Sequence, residues 1–82
     1  MRKWLVGKAR CRAAQAQYYL LEEEAEEGGP SYGVEIDLEG ESASVRDLSA
    51  ARGRAEALAA ALVRGAVTPV ALRDVVDDWL LE

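Results

Sequence analysis

From Tyr32 to Glu39 the chain alternates, with Tyr32, Val34, Ile36 and Leu38 on one side and Glu35, Asp37 and Glu39 on the other. Period two is the signature of a strand with one wet face. Gly40-Glu41 follows with glycine first, the composition of a type II′ hairpin turn. That turn sets Glu39 opposite Ser42, Leu38 opposite Ala43, Ile36 opposite Val45 and Glu35 opposite Arg46. Apolar pairs then share one face and opposite charges the other, so Ser42 to Asp47 is the expected partner strand. Upstream the signal is mixed: the alanines, glutamines and glutamates of residues 9–24 favour a helix, whereas Tyr18-Tyr19-Leu20-Leu21 favours a strand. A lone hairpin is marginal in water, so a further strand is needed, and Gln15 to Glu23 is expected to supply it.

The period then changes to that of a helix. Ala55, Leu58, Ala59 and Leu62 form an apolar stripe behind Ser49, which is placed to cap a helix over residues 50–64. Gly53 weakens its first turn by about 1 kcal/mol relative to alanine. Gly65 can take the left-handed backbone that closes such a helix. Thr68 is a good N-cap, and Pro69 falls at the first helical position, where its missing N–H costs nothing. Val67 and Leu72 are spaced as a hydrophobic staple, and Leu72, Val75, Val76, Trp79 and Leu80 continue as a second stripe. Strands followed by helices imply an α+β fold: a three-stranded antiparallel β-sheet followed by a C-terminal helical hairpin, β-β-β-α-α. The whole of residues 1–82 reads as a single small domain, with a basic N-terminal arm over 1–12, a β-meander over 13–48 and the helical hairpin over 49–82.

Composition makes the expected core thin. Half the residues are apolar, but 15 are alanine and none is phenylalanine. A chain of 82 residues buries only about 60–65% of its unfolded surface, which favours pairing with a second copy. The net charge of −5 hides two blocks. Residues 1–12 carry five cations (Arg2, Lys3, Lys8, Arg10 and Arg12) and no acid, while residues 22–41 carry nine acids and no base. The cations are candidate anion contacts, suited to nucleic acid or an anionic membrane surface. The plainer reading is a solvated terminus, or one lying against the acidic block of its own or another copy. Glu22 to Ser31, with five glutamates ahead of Gly28-Gly29-Pro30, reads as a surface loop.

Little in the chain suggests a reaction. There is no histidine, hence no ready general base, and Cys11 stands alone between Arg10 and Arg12 without a base to activate it. A single cysteine cannot form an internal disulfide, Trp4-Leu5-Val6 is too short for a signal-peptide core, and no stretch approaches membrane-spanning length. A cytoplasmic protein is the expectation. No glycine-rich phosphate loop is present. Asp74, Asp77 and Asp78 neighbour one another on the second helix, but a solvated face opposite the apolar stripe accounts for them. With Glu82 they also give that helix four acids against the single cation Arg73, which sets it against the phosphates a helix-turn-helix reader must approach. No catalytic residue, cofactor or metal is expected.

The segments Tyr19-Leu-Leu-Glu, Tyr32-Gly-Val-Glu-Ile, Ser44-Val-Arg-Asp-Leu-Ser49 and Val67-Thr-Pro-Val-Ala-Leu-Arg-Asp-Val-Val-Asp resemble a family of small bacterial domains of unknown function, found in Gram-positive spore-forming lineages. The resemblance spans about Tyr18 to Leu80 and is most specific at Thr68-Pro69 and Leu72-Arg73-Asp74-Val75. It supports the fold and implies no activity. The expected function is that of a non-catalytic protein-interaction or regulatory module that self-associates, with Trp4, Tyr18 and Trp79 as candidate anchors. The alternative is a nucleic-acid-associated regulator working through the basic arm, and binding of that arm to a membrane surface comes third.

Overall fold

A computed structural model describes residues 1–81 and shows four strands, not three, ahead of the helices. Strands β1 (Arg2–Cys11), β2 (Ala14–Glu24), β3 (Pro30–Leu38) and β4 (Glu41–Ser49) form one antiparallel meander in the order β1-β2-β3-β4. Helix α1 (Arg52–Arg64) follows, and a 3-10 turn over Pro69–Ala71 leads into α2 (Leu72–Leu80). Glu82, counted above among the acids of the second helix, lies outside the described residues.

The three-stranded expectation fails at the N-terminus. Residues 2–11, expected as a basic arm, are β1, joined to β2 by the two-residue turn Arg12-Ala13, with Arg12 at φ 59°. A bulge hides this strand from a period-two reading. Trp4 faces Leu20 and Leu5 faces Tyr19, but the next pair is Gly7 with Tyr18, leaving Val6 as an extra residue. An extra residue inverts the alternation beyond it. Trp4, Gly7, Ala9 and Cys11 thus share the helix-covered face, and Lys3, Leu5, Lys8 and Arg10 the open one. Gly7 is small for a reason: a Cβ there would lie 3.1 Å from Val63 of α1.

The β3–β4 register also differs from expectation. The turn is Glu39-Gly40, both at positive φ (46° and 84°), as in a type I′ rather than a type II′ hairpin. Leu38 therefore faces Glu41, Ile36 faces Ala43 and Glu35 faces Ser44. Moving the turn by one residue shifts the pairing by two, so Ala43 and Val45 keep the core face even though their partners change. Farther along, Tyr32 pairs with Ser49 and Val34 with Val45, so Arg46, Asp47 and Leu48 arch past the single residue Gly33. Arg46 uses that arch to reach across β3 and hold Glu23 of β2 through two hydrogen bonds, of 2.9 and 2.5 Å. This contact lowers the pKa of Glu23. Asp47 accepts a 2.7 Å bond from the Ser31 hydroxyl.

The core lies between one face of the sheet and the helices. Ala55, Leu58, Ala59 and Leu62 are all buried, as their spacing predicts, against Tyr18, Leu20, Val34 and Ile36. Leu72 and Val76 of α2 close the same core, with Val75 and Trp79 at its margin and Leu80 exposed. The caps depart from expectation. Helix α1 begins at Ala51 without a side-chain cap, because the Ser49 hydroxyl accepts from the Ala51 N–H instead. Thr68 has the extended backbone of a cap, yet only its carbonyl is used, by the Ala71 N–H. At the end of α1, Gly65 stays right-handed and Ala66 takes the left-handed conformation (φ 47°). The Val67 N–H bonds to the Leu62 carbonyl and the Ala66 N–H to the Val63 carbonyl. That is the Schellman arrangement, with alanine where glycine is usual.

A small polar knot ties this turn to the sheet. The Tyr18 hydroxyl donates to the Val67 carbonyl at 2.8 Å, the Cys11 thiol reaches the Ala66 carbonyl at 3.4 Å, and the two side chains meet at 3.6 Å. Burial, followed by the contact with Cys11, pushes the Tyr18 phenol well above its ordinary pKa.

Three expected outcomes test these features. Gly33→Ala puts a methyl inside the contact distance of the Val45 carbonyl oxygen and 2.8 Å from the Arg46 Cα. Chemical denaturation should show a loss of about 3 kcal/mol or more, at the upper end for overpacking. Gly65→Ala meets only ordinary contacts at a right-handed position, and should be neutral or stabilising by up to about 1 kcal/mol. Tyr18→Phe leaves the Val67 carbonyl without its donor and should cost about 1–3 kcal/mol at neutral pH. Because folding raises this phenol's pKa, the folded state holds the proton more tightly than the unfolded chain. The wild-type advantage over Tyr18→Phe should hold below the ordinary value of 10.0 and shrink as pH rises past it.

Candidate functional site

Where β1 begins and α1 begins, two tryptophans come to the surface. Trp4 precedes the bulge, so it points to the helix side and packs on Leu20, Tyr32 and Ala55 with part of its ring still exposed. The guanidinium of Arg52, in the first turn of α1, sits 4.5 Å from the centre of that ring, and Arg2 approaches it at 5.9 Å. Two residues on, Arg54 lies 4.7 Å from the ring of Trp79, which α2 carries back antiparallel to α1. Each such contact is worth about 0.5–1 kcal/mol at an exposed position. Their larger effect is to hold flat, wide side chains in fixed orientations. The first turn of α1 contains no acid, so Arg54 and the helix dipole present positive potential of the same sign, while Arg52 is also paired with Glu56 one turn on, at 3.4 Å.

The other candidate residues divide between core and surface. Tyr18 is fully buried and its hydroxyl is committed to Val67, so it is a core residue and offers no contact to a partner. Lys3 lies over the Tyr19 ring at 4.4 Å and reaches Glu35 at 2.7 Å and Asp37 at 3.8 Å. The hydrogen bond to Glu35 raises the lysine's pKa. Arg2 stands 4.0 Å from Glu22, which also accepts from the Tyr32 hydroxyl at 3.4 Å. Part of the basic block thus lies on the acidic block of its own chain. Lys8, Arg10 and Arg12 are exposed toward the opposite end of β1 and have no ion-pair partner among the described residues.

The acidic segment shares the tryptophan end of the molecule, since Arg2 pairs with Glu22 and Glu24 with Pro30. Two shallow grooves open there, one lined by Met1, Arg2, Glu22 and Pro30, the other by Glu24, Glu26, Glu27 and Arg46. Among the described residues no three cysteine, aspartate or glutamate side chains gather closely enough to hold a metal ion, and no helix is long and apolar enough to cross a membrane. Asp74, Asp77 and Asp78 are exposed on α2. One oxygen of Asp37 is buried without a hydrogen-bond partner among the described residues. The pairing of Trp4 with Arg52 joins positions 48 residues apart, and no local spacing in the sequence signals it.

The chain matches the family of unknown function DUF6514 over residues 2–82 and belongs to it. The match includes β1, which the resemblance drawn from sequence motifs left out. No curated protein and no solved structure matches the chain.

Proposed function

We propose that this member of DUF6514 is a non-catalytic interaction module of the cytoplasm, and that its docking surface is the Trp4/Trp79 end. One observation carries the reading: two partly exposed tryptophans, each held by an arginine, stand on either side of the start of α1. Tryptophan and arginine are enriched in binding hot spots, and here the ring contacts already hold the guanidinium groups in place. Such a surface positions aromatic faces and guanidinium groups for recognition. The one thiol supports the non-catalytic side of the reading, since Cys11 is buried and spends its hydrogen bond on Ala66.

Lys8, Arg10 and Arg12 favour a second reading, as a nucleic-acid-associated regulator. Their charges are not engaged by carboxylates among the described residues, unlike that of Lys3. A strand end and turn carrying three exposed cations can track phosphates, and their binding would weaken steeply with salt.

Cross-linked affinity capture from native cytosol, with and without nuclease, separates the two. Wild-type protein should retain a defined protein after nuclease, and the Arg52→Glu/Arg54→Glu variant should capture it roughly tenfold less or worse, the size of a hot-spot loss. Capture abolished by nuclease, and by Lys8→Ala/Arg10→Ala/Arg12→Ala but not by the α1 variant, would move the second reading to the front.

A further inference from the structure

We infer that the occupant of the Trp4/Trp79 surface is a second copy of this chain, joined end to end about a two-fold axis perpendicular to the strands that passes between the helix layer and the β2–β3 loop. The inference rests on the interaction reading above and names its partner. The strands reach 11 residues, about 36 Å at the usual rise, so they run along the 42 Å dimension of the molecule. Its end is formed by the start of β1, the β2–β3 loop, the start of α1 and the close of α2.

Three features meet at that end. It is apolar: Met1, Leu80 and Leu81 are 70%, 54% and 85% exposed, beside the two tryptophans. Its helical side carries Arg52 and Arg54 in the first turn of α1, Arg52 also lying 3.4 Å from Glu56, with the exposed Asp77 and Asp78 near the close of α2. Its loop side is acidic, with Glu24, Glu26 and Glu27, which have no ion-pair partner among the described residues. A two-fold contact is self-complementary, so it needs both members of a complementary pair on one face. Here they lie side by side. Rotation about the axis sets Arg52 and Arg54 of each copy against the glutamates of the other and closes the leucines and tryptophans between them. Pairing β1 with β1 instead would set cations against cations along the strand edge. The end is one of the narrower faces of a 42 × 26 × 18 Å body, so the interface falls at the small end of specific contacts and the dimer dissociates on dilution.

Sedimentation equilibrium of the full chain, from micromolar to near-millimolar concentration and at low and high salt, tests this. The expected result is a monomer–dimer equilibrium that weakens as salt rises. Arg52→Glu/Arg54→Glu and Glu26→Arg/Glu27→Arg should each weaken it by roughly a hundredfold, as like charges come together. An equal mixture of the two variants should restore the dimer, because each then meets the opposite sign. In wild-type protein the tryptophan emission should move to shorter wavelength with concentration, in step with the mass, a readout that needs no variant. A chain that stays monomeric throughout, or a dimer indifferent to both reversals and to the mixture, would overturn the inference. A monomer that still captures another protein through Arg52 and Arg54 would overturn it too, while leaving the interaction reading in place.

Discussion

The hydrogen bond from the Tyr18 hydroxyl to the Val67 carbonyl joins the middle of the sheet to the turn between the helices. Much of the structure depends on it. A four-stranded meander has one face to cover, and α1 and α2 can cover it only if the turn between them stays against the sheet. That turn is the least favourable backbone in the helical region, since Ala66 is left-handed where an alanine pays about 1 kcal/mol or more. Its carbonyls would be costly to bury unpaired. Tyr18 and Cys11 supply the partners, and in doing so fix where α2 begins and hence where Trp79 emerges.

How much of this could be read from the sequence depended on how local the determining contact was. The α1 stripe was legible because a helix buries every third or fourth side chain, and Ala55, Leu58, Ala59 and Leu62 are all core. The meander of β2, β3 and β4 was legible to within a residue or two at its ends. Strand β1 was not, because Val6 breaks the alternation and its core-facing residues are the small Gly7 and Ala9, packed beneath Val63. The hairpin turn was misplaced by one residue because glycine fits either the first or the second central position, and Glu39 accepts a left-handed conformation that its type does not advertise. Gly65 misled for the opposite reason: it is present but uses none of its freedom, while its neighbour does the left-handed work. Of the candidate anchors, Trp4 and Trp79 keep an exposed edge, and Tyr18 went to the core because its strand is central.

The charge blocks take a different meaning once folded. Counted along the chain, the cations and acids are segregated; across the sheet, β1 lies against β2 and two strands from β3. Lys3 is absorbed by Glu35 and Asp37, and Glu23 by Arg46. Exposed pairs of this kind contribute little to stability. They act instead on pattern, removing net charge from the open sheet face and leaving distinct patches at the two ends of the molecule. One end combines arginine, tryptophan and glutamate, and the other carries Lys8, Arg10 and Arg12.

The bulge at Val6 has a consequence for the molecule in bulk. Strand β1 is one of the two outer strands of the sheet, and along its ten residues one side has no neighbouring strand among the described residues. Such a rim is a template on which extended chains can stack into fibrils. A flat strand of this length would be a hazard for a small protein. Val6 bends the rim in its middle, and the cations on either side of the bend repel the same rim of any other molecule. The residue that conceals the strand from a reading of the sequence is thus also the one that guards it against cross-β growth.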